Sequence, residues 1–224
     1  MNLQLPEWLP RSNTVNLLAG AFLLSALYAA AQRRVLAAIQ AYRLNSAALG
    51  LIALVVAFAT GARHIALAAL LVIATKAIAI PMLLARQARR GRAALDAEPM
   101  LGVPGGMLVC GALVVIAFSQ TRALFGSGVT ILASCLPVSV ASTLVGLFVM
   151  VSRRRALMQV VGLVLVENAI FLAAVSLTYG MPLVVEMGVL LDLLVGVAMF
   201  GLFVERIEET LGDSDTTRLT SLKG

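Results

Sequence analysis

Four ionisable residues interrupt long apolar stretches of this 224-residue chain: Lys76, Glu167, Glu186 and Asp192. A charge near the centre of a bilayer costs at least ~2.5–3.5 kcal/mol on the insertion scale, so such residues are expected to pair, to line water or to be neutralised. Carboxylates and a lysine at this depth have the chemistry of proton carriers, because each can be charged or neutral. These four residues are therefore the candidate functional residues.

The depth of the three acids differs. Glu167 and Asp192 stand near the middle of their apolar stretches, too deep for the side chains to reach the surface. Glu186 follows Pro182 by about one turn, so it has a second interpretation in which its charge complements a helix N-terminus. Glu167 and Asp192 are the stronger candidates.

Lys76 lies five residues before Pro81. A proline has no amide proton to donate to the carbonyl of Ala77, so the sequence predicts a broken helical turn beside the ammonium group. This setting suits a switchable proton carrier. The alternative is a buried packing pair, in which Lys76 is tied to one of the carboxylates and only fixes how the helices pack.

The composition indicates that these residues lie in a membrane protein. Hydrophobic residues make up 61% of the chain and charged residues 12%, about half the ~25% of a soluble protein. A small globule has too much surface to hide such a sequence, whose mean hydropathy is +1.00. This excludes a soluble domain, a disordered chain, a disulfide scaffold and a nucleic-acid partner. The predicted class is an all-α polytopic membrane protein surrounded by the lipid bilayer.

Division of the chain at its charges and turn residues gives seven stretches of membrane-spanning length. The second helix has an alternative start at Val35, with Arg43 reaching outward. The fourth stretch begins with glycines and a proline, so six helices is the competing count. The seven stretches are 14–32, 44–61, 64–85, 100–120, 128–151, 156–178 and 182–204.

The basic residues predict the orientation. With the amino terminus outside, thirteen of the 17 Lys and Arg residues fall in inner segments and three in outer ones, and Lys76 lies within a span. This positive-inside bias predicts seven helices, with the amino terminus out and the carboxyl terminus in. The predicted regions are a four-helix part (1–127), a three-helix part (128–206) and a short cytoplasmic tail (207–224). The net charge of +6 then reflects topology.

The sequence has no pattern for a cofactor of its own. It lacks a glycine-rich phosphate loop, a His/Cys cluster and a Ser/His/Asp set. Cys110 and Cys135 lie inside apolar runs and are expected to be small core residues. We therefore expect no metal and no redox cofactor in this chain.

The last third of the chain, about 128–206, carries a recognisable pattern. A helix ending in the basic cluster 153–155 is followed by a helix with Gly162-Leu163 and Asn168-Ala169, and then by a helix with Asp192. This pattern resembles the three-helix K-type subunit of complex I. It also resembles the relatives of that subunit in membrane-bound hydrogenases and the C subunit of Mrp-type antiporters. The orientation that the resemblance implies agrees with the charge bias.

The departures from that subunit are specific. In the K-type subunit an acid directly follows the Gly-Leu pair, whereas here Val164 occupies that position and Glu167 comes one turn later. Three residues turn a helix by about 300°, so the carboxylate stays on nearly the same face, about 4.5 Å deeper. Asp192 takes the place of the second acid of the family, and Glu186 has no counterpart.

Most of the chain resembles one family. The stretches 166–172 (Val-Glu-Asn-Ala-Ile-Phe-Leu), 182–192 (Pro-Leu-Val-Val-Glu-Met-Gly-Val-Leu-Leu-Asp) and 76–81 (Lys-Ala-Ile-Ala-Ile-Pro) are similar to component E of hydrogenase-4, from complexes of the formate hydrogenlyase type. The first two helices add only hydropathy to this resemblance.

The resemblance implies a membrane-arm subunit of a complex-I-like [NiFe] hydrogenase in the bacterial inner membrane. Its partners would be antiporter-like and quinone-oxidoreductase-like membrane subunits and a soluble hydrogenase arm that holds the [NiFe] centre and the Fe–S clusters. Lys76, Glu167, Glu186 and Asp192 would contribute to proton translocation. Two alternatives stay open, a subunit of a cation/proton antiporter complex and a structural anchor without a transport role.

Overall fold

A computed structural model describes residues 13–60, 69–70, 73–90, 101–125, 135–178, 196–197 and 201. Every element within these ranges is helical, which confirms the predicted all-α class. The elements are α1 (Asn13–Ala31), α2 (Val35–Thr60), a π-helical segment (Ile73–Ala79), α3 (Ile80–Arg90), α4 (Gly102–Phe125), α5 (Cys135–Ser152) and α6 (Ala156–Thr178).

Five of these helices, α1, α2, α4, α5 and α6, are long and apolar enough to cross a membrane. Their bounds follow the predicted spans, and α6 coincides with the stretch 156–178. The start of α2 at Val35 matches the alternative start, with the Arg43 side chain exposed. The glycine-rich beginning of the fourth stretch is helical. The seven-span count and the orientation of the termini stay predictions, since only three residues after Thr178 are described.

The core of the fold is formed by two helical hairpins. The turn 32–34 joins α1 to α2, and the turn 153–155 joins α5 to α6. Short connections of this kind give antiparallel neighbours. The hairpins lie side by side, because α1 packs against α5 and α2 packs against α6. The π-helical segment and α3 lie against α2, while α4 lies outside against α5 and α1.

Both turns lie at the same end of the hairpins. The guanidinium of Arg153, which is almost fully buried, donates a hydrogen bond to the carbonyl of Ala30 at the end of α1. Burial lowers the pKa of the Arg153 guanidinium, and the neighbouring charge of Arg33 acts in the same direction. Because the two turns carry Arg33, Arg34 and residues 153–155, we call this the basic end.

Buried apolar side chains form two separate clusters along the hairpins. The basic-end cluster joins the last residues of α1 and the first of α2 to the first half of α6, and includes Val35, Tyr42 and Val164. The far-end cluster joins the first half of α1 to the second halves of α2 and α6, and includes Phe22 and Leu172. The helices are therefore held together at two levels, with a gap between them.

The two hairpin helices α5 and α6 cross at glycines. A β-carbon added at Gly162 would lie 2.8 Å from the backbone nitrogen of Met150 and 2.9 Å from the carbonyl oxygen of Gly146. Backbone atoms at such distances cannot move aside cheaply, so both positions need glycine. Gly162 is therefore a site of close helix packing.

We expect Gly162→Ala to destabilise the protein by about 1–3 kcal/mol, because overpacking forces the two backbones apart. The matched control is Gly20→Ala on α1, where a β-carbon meets nothing within 4 Å. The control replaces a helix glycine with the best helix former and is expected to stabilise by up to about 1 kcal/mol. Unfolding in detergent micelles measures both changes. Equal behaviour of the two variants contradicts the close crossing.

Candidate functional site: a buried charge pair in a polar layer

Lys76 is carried by the π-helical segment Ile73–Ala79, which ends two residues before Pro81. In a π-helix each amide bonds to the carbonyl five residues earlier, and such turns are one way in which membrane helices accommodate a proline. The sequence predicts an interrupted turn at this point, and the structure has it in π-helical form. The segment lies close to α2, where a β-carbon added at Gly50 would collide with the side chain of Ile73.

The ammonium group of Lys76 forms an ion pair with the Glu167 carboxylate, to which it donates a hydrogen bond at Oε1. The side chain of Lys76 is fully buried, and that of Glu167 is 13% exposed. Glu167 is the twelfth of the 23 residues of α6, so the pair lies halfway along a membrane-length helix. The sequence leaves open which acid Lys76 contacts, and the structure assigns Glu167.

A phenyl ring completes the surroundings of the lysine. Phe171 follows Glu167 by one helical turn on α6, and the Nζ atom of Lys76 lies 5.2 Å from the centre of its ring. A cation at this distance from an aromatic face is attracted by the ring quadrupole. The carboxylate and the ring therefore stabilise the charged form of Lys76 together.

The second oxygen of the carboxylate has a different environment. Oε2 of Glu167 is buried and accepts no hydrogen bond from the part of the chain that the structure describes. A carboxylate normally accepts several hydrogen bonds, and a buried oxygen without one is a place where a proton or a water molecule is expected. Oε1 accepts the hydrogen bond from the lysine, whereas Oε2 has no partner within the described ranges.

Amide and hydroxyl groups continue the polar region from α6 to α2. The side-chain nitrogen of Asn168 donates to Oδ1 of Asn45 at 2.9 Å and to Oγ of Ser46 at 2.8 Å. All three side chains are fully buried. Two hydrogen bonds from one buried amide fix the rotation of α6 relative to α2, and Glu167 is the residue next to that amide.

The same network reaches α1. The side-chain nitrogen of Asn45 donates to the carbonyl of Phe22 at 2.9 Å and to Oγ of Ser25 at 3.1 Å, and Ser25 donates to the same carbonyl. Lys76 and Glu167 lie beside this hydrogen-bonded network, since Glu167 precedes Asn168 on α6, and the pair and the network form one set of buried polar groups on four elements. We call this set the polar layer; its members are Ser25, Asn45, Ser46, Lys76, Glu167 and Asn168.

The polar layer fills the gap between the two apolar clusters. On α2, Asn45 and Ser46 fall between the last member of the basic-end cluster and the first member of the far-end cluster. On α6, Glu167 and Asn168 fall between Leu165 and Ala169 in the same way. The members of the polar layer are thus gathered at one depth, with apolar packing on either side.

Part of this layer has no counterpart among the predictions from sequence. Asn168 enters them only as a mark of family resemblance, and Asn45, Ser46 and Ser25 do not enter them. The available signal was an Asn-Ser pair at the start of the apolar stretch 44–61, since a buried amide inside a membrane span must find partners. Glu186 and Asp192 lie outside the described residues, so their roles stay predictions.

The side chains of Cys110 and Cys135 are both buried and are not joined in a disulfide, as expected of small core residues. Among the described residues, no group of three or more His, Cys, Asp and Glu side chains is placed to hold a metal ion.

Membrane-length helices around a buried charge pair define a multi-pass helical membrane protein. The chain is 30% identical to hydrogenase-4 component E of Escherichia coli K12 over 224 residues, which covers 95% of this chain and 99% of that protein. The same values hold for hydrogenase-4 component E of Shigella flexneri. The chain is also 31% identical over 212 residues to the uncharacterized protein Rv0085 of Mycobacterium tuberculosis. This alignment covers 93% of this chain and 96% of that protein.

The chain belongs to the hydrogenase-4 component E family. This confirms the family to which its sequence pattern points. No protein-family model matches the chain. No solved structure matches it.

We expect Lys76→Met to lower the free energy of unfolding by about 3–5 kcal/mol, because it leaves the carboxylate of Glu167 buried without its partner. The double variant Lys76→Met/Glu167→Met removes both charges at similar volume, so it is expected to recover most of that loss. Unfolding in micelles measures both variants. If the double variant is as unstable as the sum of the two single changes, the two residues do not form a pair.

Proposed function

We propose that this protein is a membrane subunit of a hydrogenase-type oxidoreductase complex and that it contributes to proton translocation. The observation that carries the proposal is the Lys76–Glu167 pair within the polar layer, at mid-depth of the helices. The family to which the chain belongs supports its place in such a complex, because the relatives are named as components of hydrogenase-4. The [NiFe] centre and the Fe–S clusters would be held by partner subunits.

The pair responds to a proton in a defined way. A proton that reaches Oε2 of Glu167 turns the carboxylate into a neutral carboxyl group and leaves the ammonium of Lys76 as an uncompensated buried charge. An uncompensated charge inside a protein costs several kcal/mol, so this state favours moving the proton onward or moving the lysine away. The pair can therefore take up and release a proton in turn, which a fixed apolar contact cannot do.

The packing supports one direction for the proposed proton transfer. Apolar clusters lie above and below the polar layer, whereas polar groups succeed one another within it from the π-helical segment to α1. A proton path through these residues would run in the plane of the membrane, between neighbouring subunits. Asp192 is proposed as the next carrier beyond Glu167, and Glu186 as an outer branch.

The assembly is tested by purifying the complex from native membranes through a tag on this chain. We expect antiporter-like and quinone-oxidoreductase-like membrane subunits and a soluble arm to copurify, with nickel and iron in the preparation. Sodium-dependent transport in vesicles, from a complex with neither metal nor hydrogenase activity, would favour a cation/proton antiporter instead.

The transport role is tested by Glu167→Gln and Asp192→Asn in the assembled complex. Each change keeps the size of the side chain but removes the carboxyl group that takes up and releases a proton. We therefore expect proton translocation into inverted vesicles to fall about a hundredfold while the complex still assembles. Glu209→Gln, in the predicted tail, is the control and is expected to have no effect. Assembly and redox activity with normal translocation in both variants would leave this chain as a structural anchor.

A further inference from the structure

The phenol of Tyr42 is a second buried polar group next to the polar layer. Tyr42 lies on α2, one helical turn before Ser46, and its side chain is fully buried in the basic-end cluster. Its hydroxyl group has no hydrogen-bond partner among the described residues. A buried tyrosine usually places its hydroxyl on a partner, and a buried hydroxyl without one requires an explanation.

The surroundings of this hydroxyl supply complementary groups. Ser46 follows Tyr42 by one turn on the same face of α2, and its hydroxyl interacts with the phenol without a hydrogen bond of normal geometry. Glu167 is the residue next to Asn168, which donates a hydrogen bond to Ser46. Oγ of Ser46 accepts a hydrogen bond from Asn168, so its own proton is available as a donor. Oε2 of Glu167 is a buried acceptor without a hydrogen-bond partner among the residues described above, and Oδ1 of the adjacent Asn168 is another. Two hydroxyl donors and one carboxylate acceptor thus share one buried neighbourhood.

We propose that Tyr42 and Ser46 bind a water molecule against Oε2 of Glu167. The water accepts hydrogen bonds from the two hydroxyl groups and donates one to the carboxylate, which gives it about the three bonds typical of buried water. All three protein oxygens then have a partner.

The water site gives Tyr42 the role of a positioning residue. When Lys76 is paired, Glu167 is stabilised through Oε1. When Lys76 moves away, the water bound by Tyr42 keeps a donor on the charged carboxylate, so that Glu167 can stay ionised at this depth. This role rests on the proposed function, but the presence of the water does not.

The test uses Tyr42→Phe in the assembled complex, which removes the hydroxyl and keeps the ring in the core. Tyr28→Phe is the matched control, because Tyr28 is 52% exposed on α1. The carboxyl band of Glu167, assigned in infrared spectra by its loss in Glu167→Gln, is the first readout. We expect it to shift in Tyr42→Phe and to stay in place in Tyr28→Phe. In wild type, a water O–H band should respond to H₂¹⁸O and disappear in Tyr42→Phe.

The second readout is proton translocation, which we expect to fall roughly tenfold in Tyr42→Phe, as for the loss of one hydrogen bond to a charged group. Ser46→Ala provides an independent variant if Tyr42→Phe fails to assemble, and the same band shift is expected. An unshifted carboxyl band in both variants overturns the water site. A shift without any isotope-sensitive water band also overturns it, in favour of direct contact.

The infrared result separates this inference from the proposed function. If Glu167→Gln translocates protons normally, the proton-carrier role is wrong, yet the water band still reports whether the site exists. If Glu167→Gln stops translocation and the water band is missing, the proposed function stands and the water site is wrong.

Discussion

The structure depends on one ion pair, between Lys76 and Glu167, made where water is scarce. Either charge alone is costly at that depth, so the ion pair favours contact between the elements that carry the two residues. The pair therefore links the π-helical segment to α6, two elements far apart in sequence. Phe171 reinforces this link from the next turn of α6. The contact is strong only while both groups are charged, so it is also suited to respond to a proton.

The depth of the polar groups follows from how the apolar residues are distributed. Each of the helices α1, α2 and α6 contributes apolar side chains to both clusters and polar side chains to the level between them. The hydrogen bonds of asparagine amides are directional, whereas apolar contacts tolerate small shifts. The hydrogen bond between Asn45 and Asn168 therefore defines one register between the two hairpins. Stability comes mainly from the clusters, and the specific alignment comes from the layer.

Much of this arrangement is predictable from the sequence, and the reason lies in the membrane. The bounds of α6 follow from hydropathy, because a span is predominantly apolar along its length. The early start of α2 follows as an alternative from the amphipathic stretch that begins at Val35, with Arg43 reaching outward. The mid-depth position of Glu167 follows from counting residues along α6. The partner of Lys76 does not follow, since it depends on the rotation of each helix about its axis. The same reason hides the roles of Asn45, Ser46 and Tyr42 from the sequence, because these roles depend on contacts between helices.

The π-helical segment has a consequence for where the lysine points. On α3 the buried side chains of Ile80, Leu84 and Ala88 recur every four residues, and α3 packs against α2. An uninterrupted α-helix would extend that stripe backward to position 76 and direct the lysine toward α2. The wider winding before Pro81 turns it instead toward α6, where Glu167 lies. The direction of a charge in this protein is thus set by the hydrogen-bond ladder of its own backbone.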